Sequence, residues 1–204
     1  MAVTVSLPIL PRLFYAPRSV FSDLAQAQPS APSVFFKLAI WLLVLPPLFA
    51  FFGSINFGWN LGADEPVRLS PGAMVAVSAA YFFTLVFGFI TSAVVSRWMA
   101  STYGASENLG LHFSMLALVG APLLLGSAIH LYPHAFVNLL VLAPALLWSM
   151  YLLYTGLPIA LGINPQRGML MASALIGYLL VASVSLLGLT VVLWGQGIGP
   201  EMGI

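Results

Sequence analysis

Residues 73–98 carry the sequence AMVAVSAAYFFTLVFGFITSAVVSRW, an apolar run with one charged residue, Arg97, close to its end. A membrane-spanning helix needs about 20 mostly apolar residues, so this run is long enough to cross a bilayer. Outward from it, the chain has further long apolar runs at residues 34–53, 111–131, 135–161 and 169–194. The sequence therefore predicts an all-α, polytopic membrane protein: a bundle of five transmembrane helices.

The composition supports the same class of protein. Of the 204 residues, 61% are hydrophobic and only 5% are charged, whereas an ordinary soluble domain carries about 25% charged residues. This excludes a soluble enzyme, a nucleic-acid-binding protein, which needs a basic face, and a disordered chain, which is polar and charge-rich. The longest segment between the runs, residues 54–72, is too short for a soluble domain. We expect a single membrane domain, residues 34–204.

The preceding residues, 1–33, are predicted to form a cytoplasmic N-terminal segment with a short amphipathic helix in the membrane interface. Between residues 19 and 28, Val20, Phe21 and Leu24 share one side of a helix, and Pro17 suits its first turn. The alternative is a surface loop with a few buried aromatic residues.

Basic residues near the span ends indicate the orientation, because Lys and Arg concentrate on the cytoplasmic side. Five of the six basic residues lie on the same side of the membrane as the N-terminus: Arg12, Arg18, Lys37, Arg97 and Arg167. Arg68 lies on the opposite side. We expect a bacterial cytoplasmic (inner) membrane protein with a cytoplasmic N-terminus and an exterior C-terminus. The cations nearest the N-terminus are candidate anchors for anionic lipid headgroups: Arg12, Arg18 and Lys37.

The second span carries a row of small residues, one at every fourth position. Small side chains let two helices approach closely within lipid, so this row is a candidate helix-packing interface. Its partner is another helix of this chain or of another protein. The alternative is that the row arises by chance, since small residues are common in spanning helices. The row consists of Ala76, Ala80, Thr84, Gly88, Ser92 and Ser96.

Residues that commonly carry chemistry are sparse. His130 and His134 have a spacing that can bind zinc, but Pro133 lies between them, and His112 begins a span at the opposite membrane face. We interpret all three histidines as solvated or interfacial. No catalytic motif, metal site or cofactor site is predicted, so we expect no enzyme. Prolines within the third and fourth spans predict kinks, or helix breaks suited to transport.

Three short stretches resemble the Yip family (Ypt/Rab-interacting proteins). They are residues 13–21 (LFYAPRSVF), residues 120–124 (GAPLL) and the span end at residues 148–162 followed by INPQR at 163–167. The resemblance implies five spans with a cytoplasmic N-terminus. Eukaryotic members engage small GTPases, and they typically have a longer cytoplasmic N-terminal region and an Asp-Leu-Tyr-Gly-Pro motif. This chain lacks that motif and is similar to the compact bacterial members, so small-GTPase binding is not expected.

These observations favour a non-enzymatic membrane scaffold or accessory subunit that acts through helix–helix contacts. Its expected partners are membrane lipids and other integral membrane proteins, or further copies of itself in a homo-oligomer. No nucleic acid is expected as a partner. The alternative is a passive transporter or channel, or a lipid-handling membrane protein.

Overall fold

The computed structural model describes residues 7–60, 62 and 66–196. It confirms the all-α polytopic class, with five helices long and apolar enough to span a membrane. We label the short N-terminal helix Pro17–Ala27 α1. The spanning helices that follow it are α2 (Ala31–Phe57), α3 (Pro71–Tyr103), α4 (Leu109–Leu131), α5 (Ala135–Leu161) and α6 (Pro165–Gly195).

The predicted amphipathic helix is present as α1. It follows a single helical turn at Arg12–Tyr15 and begins at Pro17, where the missing proline N–H has no helical partner to lose. Val20, Phe21 and Leu24 are fully buried, because this face packs on α5. The apolar side of α1 is thus covered by protein, and its polar side faces outward.

Helix α2 is irregular along its length. A π-helical turn occupies Phe35–Ala39, and the α-helix is interrupted at Val44. Pro46 and Pro47 follow immediately. Because two prolines remove two backbone donors and crowd the carbonyls of the preceding turn, they account for the interruption at Val44.

Helix α4 is the centre of the bundle, and α3 and α6 lie at its periphery. Within the most apolar stretch of α4, 61% of the residues are buried, compared with 6% in both α3 and α6. Large apolar side chains such as Phe83 and Phe87 are about two-thirds exposed on α3. In a bilayer these side chains face lipid, where exposure costs an apolar group little.

Two glycines bring separate elements into backbone contact. A Cβ at Gly53 of α2 would overlap the carbonyl of His130, and a Cβ at Gly110 of α4 would overlap the carbonyl of Pro29. The first contact joins α2 to the 3-10 turn Ser127–Leu131 that ends α4. The second joins the start of α4 to the segment after α1. Only glycine permits either approach.

Candidate functional site

The row of small residues on α3 divides between two environments. Ala76, Ala80 and Thr84 are exposed, whereas Ser92 and Ser96 are buried against the rest of the bundle. Gly88 lies at the change from one environment to the other. The structure therefore packs one end of the predicted interface inside the chain and leaves the other end uncovered.

Helix geometry explains this division. Each step of four residues advances about 40° at 3.6 residues per turn, so the five steps from Ala76 to Ser96 rotate the row by about 200°. A row that faces the bundle at one end of α3 must face away from it at the other. The row is a continuous line on the helix surface, but one straight neighbouring helix cannot cover all of it.

The uncovered end forms a shallow surface beside two large aromatic rings. A Cβ at Gly88 would meet no atom within 4 Å, and Phe83 and Phe87 stand next to the row with 67% and 65% of their surface exposed. A helix seated on Ala80 and Thr84 would thus lie against these rings. We call the surface formed by Ala76, Ala80, Thr84 and Gly88 the small-residue face.

Helix α6 carries a shorter set of small residues that is also largely uncovered. Ser173 is exposed and its Oγ lies 3.0 Å from the Tyr154 hydroxyl of α5. Gly177 and Gly188 have open space where a Cβ would stand. Contacts of α6 with the bundle involve its first turns, where Met171, Ala172 and Leu175 are fully buried.

The interpretation of His112 as solvated or interfacial is wrong, because the structure buries it completely. Its Nε2 lies 2.8 Å from the carbonyl oxygen of Ser106, which can only accept, so Nε2–H donates. Nδ1 then accepts from the Ser96 hydroxyl at 2.8 Å. The sequence predicts that Ser96 belongs to a helix-packing interface. In the structure Ser96 contacts the neighbouring helix α4 through this hydrogen bond. The pairing joins residues 16 apart in sequence, and no local pattern encodes it.

The three candidate lipid anchors have different surroundings. Arg12 Nη2 lies 2.9 Å from Asp23 Oδ2 and also donates to Ser19 Oγ at 3.2 Å. Arg12 therefore ties the turn before α1 to α1 itself. Arg18 and Lys37 are exposed, and neither forms an ion pair within the part of the chain that the structure describes. These two remain the cations presented outward near α1 and α2.

A second polar cluster lies at the opposite end of the bundle from α1. The Asn138 amide nitrogen donates to the carbonyls of Tyr132 and His134, at 3.1 Å and 3.0 Å. Its oxygen is therefore the atom that faces His130, and His130 Nδ1–H donates to it. His130 and His134 are both partly exposed, in agreement with their interfacial assignment. Their contacts with Asn138 hold the turn before α5. No group of metal ligands is found among the described residues.

Comparison with known proteins identifies relatives across most of the chain. The family model for the Yip1 domain matches residues 12–187. The chain is similar to the inner membrane protein YohC of Escherichia coli K12, with 31% identity over 156 residues, 76% of this chain and 80% of the relative. The YohC protein of the O6:H1 strain matches with the same identity and coverage. No solved structure matches the chain significantly.

Proposed function

The chain belongs to the Yip1 domain family and is a multi-pass inner membrane protein, and on this premise we propose that it acts as a non-enzymatic scaffold or accessory subunit. It binds other integral membrane proteins, or further copies of itself, through helix faces within the bilayer. The N-terminus and α1 lie on the cytoplasmic side in this proposal, and the C-terminus lies outside.

The observation that carries the proposal is the uncovered small-residue face on α3. Within lipid, apolar side chains gain little by leaving the bilayer for a neighbouring helix, so association depends on close van der Waals contact. Ala76, Ala80 and Thr84 permit that contact and are exposed. The rings of Phe83 and Phe87 supply a ridge beside them. The face has the shape of a helix-binding groove for a partner outside this chain.

The non-enzymatic part of the proposal rests on the kinds of residue present. The sequence has no cysteine, and its five acidic residues lie outside the predicted spans. Intramembrane ionisable groups usually accompany proton relays and ion-coupled transport. The cations near α1 fit attachment to anionic headgroups, with Arg18 and Lys37 contributing on the order of 1 kcal/mol each.

The test is to fill the small-residue face without disturbing the chain. Gly88→Leu adds a side chain where the structure has open space, so we expect normal insertion and unchanged thermal stability. Complexes recovered by in-membrane crosslinking and gentle detergent extraction should be lost. Ala143→Leu is the matched control, because Ala143 is exposed on a different helix, α5, and should leave the complexes intact.

Survival of the same complexes in Gly88→Leu would exclude the small-residue face as the contact. Recovery of a lone monomer from wild-type membranes would contradict the scaffold role itself. Solute flux through liposomes that contain only the purified protein would favour the passive transporter instead.

A further inference from the structure

A cavity of about 400 Å³ lies between α2, α3 and the turn that ends α4, at the end of the bundle away from α1. Its size falls within the range of about 300–1,000 Å³ typical of small-molecule sites. Several lining residues are partly exposed, so the cavity reaches the protein surface. It is lined by Ala50, Trp59, Leu69, Met74, Val77, Ser78, Tyr81 and His130.

The length of α3 places this cavity at the boundary between headgroups and hydrocarbon. Helix α3 has 33 residues, which at about 1.5 Å per residue makes it about 50 Å long. The hydrocarbon core is about 30 Å thick, so each end of a centred helix extends roughly 10 Å beyond it. Ser78 and Tyr81 then lie near one boundary and Arg97 near the other. A molecule in the cavity has one part among headgroups and another in hydrocarbon.

The polar groups of the cavity have hydrogen-bonding capacity that the chain does not use. The Ser78 hydroxyl oxygen is buried and has no hydrogen-bond partner among the described residues. The Tyr81 hydroxyl bonds to no residue in the described parts of the chain. His130 gives its Nδ1–H to Asn138, so Nε2 of the neutral ring is left as an acceptor. These groups match a ligand that carries hydroxyls, which both donate and accept.

Apart from the indole N–H of Trp59, the rest of the lining is apolar, and none of the lining residues that the structure describes is Asp, Glu, Lys or Arg. A buried water needs two to four polar partners. The three polar groups above can hold water at their end of the cavity, but the walls formed by Ala50, Leu69, Met74 and Val77 offer no such partner. Water alone is therefore a poor filling for a space of this size. An anionic phosphate would also lack a cation in the cavity, so the lining favours an uncharged ligand.

We propose that this cavity binds a neutral, hydroxyl-bearing amphiphile of the membrane, with its hydroxyls at Ser78, Tyr81 and His130. Its apolar chain lies against Met74 and Val77. The cavity shares no lining residue with the small-residue face, so variants that fill one of them test it apart from the other.

The test uses the full-length protein in liposomes and a monoacylglycerol that carries a diazirine on its chain and an alkyne tag. After irradiation, we expect labelling concentrated on the peptides that contain Trp59 and Met74–Tyr81, and competition by unlabelled monoacylglycerol. Ser78→Phe fills the cavity and should lower the labelling of these peptides at least fivefold. Ala79→Phe, on the neighbouring but exposed position, should leave it unchanged. Thermal midpoints of both variants verify that they fold.

A second comparison varies the head of the probe. The methyl ester of the same acyl chain lacks hydroxyls and should label these peptides weakly. The lysophosphatidic acid probe should compete poorly, because none of the described lining residues is a cation. If Ser78→Phe is unstable, Ala50→Leu narrows the cavity from α2 and serves in its place. Labelling spread evenly over lipid-facing helices, or unaffected by both filling variants, would overturn the proposal. Stronger labelling by the phosphate probe would contradict the uncharged head.

Discussion

At the scale of single residues, the arrangement around His112 shows how a polar group is accommodated inside the bundle. An imidazole in an apolar interior is costly unless both nitrogens are paired. Here Nε2 donates to the Ser106 carbonyl and Nδ1 accepts from Ser96. The pair joins α3, α4 and the loop between them. Its role is to fix the register of two adjacent helices.

Ser96→Ala should destabilise the protein, because it leaves His112 Nδ1 buried without a donor. An unsatisfied buried group costs about 1–3 kcal/mol. The measurement is the thermal midpoint of unfolding in a mild detergent. Ser101→Ala is the control, because the Ser101 hydroxyl is exposed and bonds only the Trp98 carbonyl; it should change stability by less than about 0.5 kcal/mol. Equal midpoints for the two variants would contradict the pairing.

At the scale of elements, the apolar face of α1 packs on α5, and its closest approach is at Phe21. Phe21 is fully buried, and a Cβ at Gly156 would overlap its ring. The ion pair of Arg12 with Asp23 adds little to this docking, since both side chains are more than 30% exposed and pairs so hydrated contribute about 0–1 kcal/mol. The fit of the ring over the glycine therefore sets the position of α1.

Gly156→Ala should undock α1 while leaving the five spans inserted. Overpacking costs about 1–3 kcal/mol, so the undocked population should rise by about an order of magnitude. The chain has no cysteine, so Leu24→Cys, buried in the docked helix, reports undocking by its rate of maleimide labelling. Gly120→Ala is the control, because its added Cβ makes only an ordinary contact, 3.7 Å from Leu124 Cδ1. It should leave the labelling rate unchanged. An equal labelling rate in both backgrounds would exclude this account of the docking.

At the scale of the whole molecule, the periphery differs from the centre. Helices α3 and α6 expose most of their surface, and α4 is enclosed by the others. The uncovered face and the 400 Å³ cavity both involve α3, with the cavity on the side that meets α2. One peripheral helix therefore carries both of the surfaces that the two proposals concern.

The distribution of basic residues predicts that α1 lies in the cytoplasm. In spheroplasts, Val67→Cys should react with a membrane-impermeant maleimide before lysis, and Ser101→Cys only after lysis. Both positions are exposed and lie at opposite ends of α3 or its preceding segment. The reverse pattern of labelling would invert the orientation and, with it, the leaflet that holds the cavity.

Hydropathy and periodicity act locally along the chain, so the five spans and the amphipathic helix could be predicted from the sequence, and short motifs pointed to the family. Which residues of these helices meet one another is a tertiary property: Ser96 packs inward while Ala76 faces outward, His112 is buried, and Arg12 pairs with Asp23. No local pattern encodes these contacts, because lipid tails are as apolar as a protein core. Hydrophobicity therefore marks which residues lie in the membrane, but not which of them meet another helix.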